Sequence, residues 1–153
     1  MADAAIVQCW KDVTDQINGK QGGWSVKFTA ERKYKPKTAL EETGQVKVQT
    51  AISAWRIAPD NRTDWSHEFD VDIGVQWRAK EGSADQAIEQ FDSVLMLAQE
   101  ITDYWEENRP VAADCPLTGI ALGPAGDAPY IPDHIEKFDQ ITSVITLTFQ
   151  KLR

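Results

Sequence analysis

Residues 68–77 read Glu68-Phe69-Asp70-Val71-Asp72-Ile73-Gly74-Val75-Gln76-Trp77, with every second side chain apolar and the intervening ones polar or glycine. That period of two predicts a long strand with one buried and one wet face. A second run, Ile141 to Phe149, alternates Ile141, Ser143, Ile145, Leu147 and Phe149 with Thr142, Val144, Thr146 and Thr148. Being β-branched or apolar almost throughout, it predicts a central strand.

Around these two runs the pattern is mixed. Ile6, Trp10, Val13 and Ile17 are spaced by four, three and four, which predicts a helix over 4–18 with Asp3 as N-cap and Gly19 as the C′ residue. Trp24, Val26, Phe28, Ala30, Arg32 and Tyr34 share one parity, so a strand is expected there. A connecting loop carrying Pro36 should follow, and then another strand over 45–54. Ser83 and Gln86 have the spacing of a capping box. Beyond them Ala84, Ile88, Phe91, Leu95, Ala98, Ile101 and Trp105 mark one face of a helix over 84–107, which Arg109-Pro110 ends. A short strand is expected at 117–122 within a stretch rich in proline and glycine. The order, helix, strands, long helix, strands, predicts an α+β fold. It consists of a mostly antiparallel sheet with an N-terminal helix and one long helix packed on one face. All 153 residues are expected in a single domain, with exposed loops at about 35–44 and 109–135.

The chain carries 16 Lys and Arg against 24 Asp and Glu, a formal charge of −8. Residues 1–62 hold ten basic and seven acidic side chains, whereas residues 63–153 hold six and seventeen. An acidic balance argues against gripping DNA through its phosphates. No apolar run approaches the roughly 18 residues of a membrane span. The N-terminal Met-Ala-Asp-Ala-Ala-Ile has neither the basic n-region nor the apolar stretch of a signal peptide. Cys9 and Cys115 are therefore expected as free thiols in a reducing cytoplasm.

Few groupings suggest chemistry. Glu68, Asp70 and Asp72 should project from one face of their strand about 7 Å apart, twice the rise per residue. Such a set could hold a divalent cation, but no calcium-loop motif accompanies it, and a solvated strand face is the preferred explanation. His67 and His134, the only histidines, lack close-spaced metal partners. Neither Gly-x-Ser-x-Gly nor a phosphate-binding Gly-x-x-x-x-Gly-Lys occurs. Asp114 beside Cys115 opposes an activated thiolate. No catalytic group, cofactor or metal is expected.

Electrostatic crowding is more pronounced. Residues 64–107 hold twelve acidic and two basic side chains, and the long helix sets like charges four apart at Asp85/Glu89 and Asp103/Glu107. Either that face is simply solvated, or it lies against a basic surface or lines a passage that must not hold DNA. Lys27, Arg32, Lys33, Lys35 and Lys37 form a basic counterpart, which could be the matching patch on a neighbouring copy. Two different patches meeting in this way generate a ring when the rotation closes. Of the six tryptophans, Trp24, Trp55 and Trp65 adjoin loops and suit an interface, while Trp10, Trp77 and Trp105 fit core patterns.

In order and spacing, Tyr34-Lys35-Pro36, the 69–76 strand, Pro129-Tyr130-Ile131-Pro132-Asp133-His134-Ile135, and Phe138 with the 142–149 strand resemble small phage virion proteins of the tail-terminator or tail-completion type. The resemblance implies a homo-oligomeric ring, commonly a hexamer, at the head-proximal end of the tail tube. Such a ring stops tube polymerisation, joins the tail to a neck or head-completion protein, and lets DNA pass without specific binding. It implies no catalysis and no cofactor, assembly in the host cytoplasm, and a final place in the virion. Within it, Arg32, Tyr34, Lys35, Lys37, Arg56 and Arg62 are candidate subunit or tube contacts. Glu68, Asp70 and Asp72 are candidate lumen or contact acids. Three alternatives stand beside this reading. One is another neck component, such as a stopper or head-completion ring; the second is a small hydrolase using Asp70 and Asp72 with a divalent ion; the third is an acidic decoy of a DNA-handling protein.

Overall fold

A computed structural model describes residues 4–33, 46–78, 84–108, 115–122 and 140–152. The elements are α1 (Ala5–Asn18), β1 (Ala30–Arg32), β2 (Lys47–Pro59), β3 (Trp65–Arg78), α2 (Ala84–Glu107), β4 (Leu117–Leu122) and β5 (Gln140–Leu152). They form an α+β fold around one five-stranded sheet of order β1-β2-β3-β5-β4. All neighbours pair antiparallel except β1 with β2, which is parallel. The two runs with the strongest strand pattern lie at the centre, with Phe69 opposite Phe149, Val71 opposite Leu147 and Ile73 opposite Ile145.

One sheet face carries the core. Val48, Phe69, Val71, Ile73, Val75, Trp77, Ile145, Leu147 and Phe149 are buried there. They form one cluster with Ile6, Cys9, Val13 and Ile17 of α1 and Val94, Leu97, Ala98, Ile101 and Trp105 of α2. Both helices therefore cover the same face, with β-branched and aromatic side chains filling the layer between. A polar anchor fixes α1 within this layer. The Trp10 indole N–H donates to Thr50 Oγ1 at 2.9 Å, Thr14 donates to the Trp10 carbonyl at 3.0 Å, and the two threonine hydroxyls lie 2.7 Å apart. Because the Thr14 proton is committed to Trp10, Thr50 is the donor in the last bond.

Several expectations need correction. The N-cap position of α1 falls on Ala4, with no side-chain cap bond, and not on Asp3, which lies outside the described residues. Gly19 closes the helix with φ −95° rather than in the left-handed region. The glycines that need a positive φ are Gly22 and Gly23, at 81° and 66°, where the chain turns away from α1.

Of the expected strand over 24–34, residue 34 lies outside the described residues and the rest is strand only at Ala30–Arg32. Alternation persists, since Trp24, Val26 and Phe28 pack on the core while Ser25, Lys27 and Thr29 are exposed. What is missing is the ladder. The Ser25 N–H donates to the Glu100 carboxylate at 3.1 Å, and the Trp24 indole donates to the Ile17 carbonyl at 3.0 Å and meets Tyr104 edge-on. The stretch thus bridges the two helices and joins the sheet only at Ala30. There Asn18 acts as a clamp, its Nδ2 donating to the Ala30 carbonyl at 3.0 Å while the Ala30 N–H donates to Oδ1 at 2.8 Å.

Along α2 the core face is Val94, Leu97, Ala98, Ile101 and Trp105, whereas Ile88 is 68% exposed. At 100° per residue, Ile88 stands about 120° from that face, so its apolar character does not make it a core residue. The Ser83 cap, the 35–44 loop and the Pro129–Ile135 motif lie outside the described residues, as does His134. Among the described residues, no helix is long and apolar enough to cross a membrane.

Candidate functional site

Two surfaces follow from the sheet being longer than the helices that cover it. β3 has 14 residues and so spans about 46 Å. Helix α1 also has 14 residues but spans only about 21 Å. The β2–β3 hairpin consequently projects past the N-terminal end of α1 as an arm.

The face of the sheet away from the helices carries the predicted carboxylates, as their shared parity requires. Glu68, Asp70 and Asp72 point the same way, and His67 lies on the opposite side with Phe69. Arg56 sits among them. Its Nη1 and Nη2 donate to Asp70 Oδ2 and Oδ1, both at 2.9 Å, and its Nε donates to Glu68 at 3.1 Å. Thr148 donates to Asp70 Oδ1 at 2.9 Å, and Asp72 Oδ1 accepts from Thr146 at 2.8 Å and Ser53 at 3.0 Å. Ser53 reaches Asp72 because the β2–β3 register shifts between Ile52 and Ala54, leaving Ser53 as the extra residue of a bulge. The Arg56 guanidinium, then Thr148, hold the Asp70 carboxyl below its ordinary value against the opposing effect of partial burial. Asp70 and Glu68 in turn push Arg56 up, so it stays charged. Among the described residues no three His, Cys, Asp or Glu side chains converge as metal ligands. Farther along this face Gln49, Gln76 and Thr142 are buried, so the open part lies at the Glu68 end.

The helix-side face of the arm has a different chemistry. Trp55 is 54% exposed, Ile57 55% and Trp65 54%. His67 lies directly opposite Ile57, with Lys151 next to it on β5. The Trp55 indole donates to His67 Nδ1 at 3.2 Å and its ring meets Phe69 edge-on. At the base of the arm a hollow of about 170 Å³ is lined by Ala4, Ala5, Ile6, Trp55, His67, Phe69 and Lys151. The turn is rigid. Asn61 Oδ1 accepts from the N–H groups of Thr63 and Asp64, and the Asp60 N–H donates to the Asp64 carbonyl.

The remaining candidate residues fall in separate places. Arg62 is exposed in the turn of the arm. The Arg32 guanidinium lies 4.8 Å from the centre of the Trp10 ring, far along the sheet from Arg56. Tyr34, Lys35 and Lys37 lie outside the described residues. Both cysteines are buried. Contact with Cys115, and then burial, push the Cys9 thiol well above its ordinary range.

Sequence reasoning marked Trp55 and Trp65 for an interface but stopped β2 at residue 54, and so missed Ile57 and the arm. The signal was the continued alternation of Trp55, Ile57 and Pro59 with Arg56 and Ala58. It also put Ile88 on one helical face with Ala98, Ile101 and Trp105, and did not single out Met96, which is 63% exposed.

No family model matches the chain. No curated protein matches it either. Among the solved structures that match, one aligns over 99% of this chain and 96% of its own at 16% identity, with a TM-score of 0.40, which is too low to bear on fold or function.

Proposed function

We propose that this chain is a structural virion protein. It forms a ring at the head-proximal end of a phage tail tube, ends tube polymerisation and joins the tail to the neck while DNA passes through. The ring assembles in the host cytoplasm from identical copies, with the tube protein and a neck or head-completion protein as its other partners. The observation that supports this reading best is the arm, where three large apolar side chains, each more than half exposed, stand together at and beyond the start of α1. Clustered apolar exposure of that kind marks a contact surface. The open sheet face, where three carboxylates outnumber Arg56, suits a wall along which a polyanion slides without adhering. Asp70 and Asp72 take part in a hydrogen-bonded lattice with Arg56 and three hydroxyls, an arrangement that stiffens a surface.

The test is the native mass of the purified protein alone and with tail tubes, together with labelled particles viewed by cryo-electron microscopy. Rings, or rings formed on tube ends, and label at the tail–neck junction are the expected outcome. Label elsewhere on the particle would move the protein to another neck position. A protein absent from particles, or one that turns over a small molecule, ends this reading.

A further inference from the structure

Large apolar side chains that are strongly exposed occur in two groups among the described residues. One is the arm, with Trp55, Ile57 and Trp65; the other is Ile88 and Met96 on the outer face of α2. The two groups match in span. Ile88 and Met96 are eight residues apart, about 12 Å along the helix. Trp55 lies opposite Phe69, and Trp65 is four residues farther out on β3, about 13 Å along the arm.

Acidic side chains on the helix stripe are matched by one base, Lys151, at the hollow of the arm. Between Ile88 and Met96 the helix exposes Glu89 and Asp92, and Asp103 continues the stripe. On the arm the half-buried Lys151 borders the hollow next to Trp55, and Arg62 stands at the turn. Asp60 and Asp64 also lie at the turn; Asp64 accepts from Asn61 Nδ2 at 2.8 Å, and neither lines the hollow. That hollow holds the volume of about six waters, enough for one aliphatic side chain.

We infer that the helix-side face of the arm receives the outer stripe of α2 from a second copy of this chain. Ile88 and Met96 enter against Trp55, Ile57 and Trp65, and Asp92 meets Lys151. Because the two surfaces differ, the contact is heterologous, and each copy offers one of each kind, as a closed ring requires. This rests on the ring reading above and assigns its contact to the arm and α2.

Native mass spectrometry of three proteins tests it: the natural chain, an arm variant carrying Ile57→Glu and Trp65→Glu, and a stripe variant carrying Ile88→Glu and Met96→Glu. All four sites are more than half exposed, so circular dichroism should show each variant folded; Trp65→Ser and Met96→Ser are the milder substitutes if one is not. Each variant alone should be monomeric. An equimolar mixture of the two should give a one-to-one heterodimer, since one intact arm and one intact stripe remain. Lys151→Glu should weaken assembly at least tenfold, and adding Asp92→Lys should restore it. Assembly of the natural chain with unaffected variants, or with no heterodimer in the mixture, overturns the inference and leaves the ring reading in place. A natural chain that remains monomeric up to about 1 mM, with and without tail tubes, overturns both.

Discussion

Arg56 stands directly opposite Glu68 in the β2–β3 register, yet its paired hydrogen bonds go to the diagonal carboxylate of Asp70. The bulge at Ser53 brings Arg56 to the carboxylate face, opposite Glu68 rather than His67, and from there its guanidinium pairs with Asp70 while the single Nε bond reaches Glu68. The Arg56 side chain is half exposed and that of Asp70 only 15% exposed. Solvent therefore screens the pair from one side. Arg56→Ala should lower stability by roughly 0.5–1 kcal/mol in urea denaturation, with an unchanged slope. A loss above about 2 kcal/mol would show that the network supports the fold much more than its exposure implies.

The same pair sets a pH dependence with a definite sign. The carboxyl of Asp70 is held below its ordinary 3.8 when folded. Its contribution is complete above the unfolded value and disappears as pH falls through the folded one. The stability difference between the natural protein and Arg56→Ala should accordingly be constant from pH 7 to about pH 5 and shrink as the pH falls below the ordinary carboxylate value and through the lower folded one. A difference that grew on acidification would contradict the assignment.

Asn18 holds both backbone groups of Ala30, the first residue of β1. Asn18→Ala leaves that N–H and carbonyl without their partner, at a cost of about 1–3 kcal/mol. Hydrogen exchange should show the amides of 30–32 losing protection while those of β3 and β5 keep theirs. Uniform loss over the whole sheet would mean that β1 is not separately tethered.

Two isoleucines of like composition should behave in opposite ways. Ile73 is fully buried at the sheet centre, whereas Ile88 is exposed on α2. Ile73→Ala should cost about 2–5 kcal/mol through the cavity it leaves. Ile88→Ala should change stability by less than about 0.5 kcal/mol, measured under conditions where the protein is monomeric.

Cys9 and Cys115 are buried, and the Cys9 thiol is pushed up by its neighbour and by burial. Alkylation by iodoacetamide should therefore be at least about 100-fold slower in the folded protein than in urea, and should follow unfolding. Fast modification of either thiol in the native protein would contradict their placement.

How far the sequence could be read depended on whether burial was local or remote. β3 and β5 were legible because one sheet face is covered by both helices, which imposes a strict period of two. The common direction of Glu68, Asp70 and Asp72 followed from the same period. The 24–29 stretch has that period as well, but its Ser25 N–H is claimed by Glu100, 75 residues away, and pattern alone does not show where a backbone group finds its partner. Ile88 satisfied a loosely drawn helical face, and only the position of Val94, Leu97 and Ile101 against the sheet showed that the face had turned past it.

By itself, then, the sequence determined the element types, the two central strands, the acidic second half and the face on which the carboxylates stand, because all of these depend on periodicity and charge within one segment. Tertiary structure alone decided that β1 runs parallel to β2, that Arg56 bonds diagonally to Asp70 beyond the bulge at Ser53, and that the hairpin extends past the start of α1 with Trp55, Ile57 and Trp65 uncovered. The physical reason is a difference in rise: a strand advances about 3.3 Å per residue and a helix 1.5 Å, so equal numbers of residues leave the sheet longer than its cover.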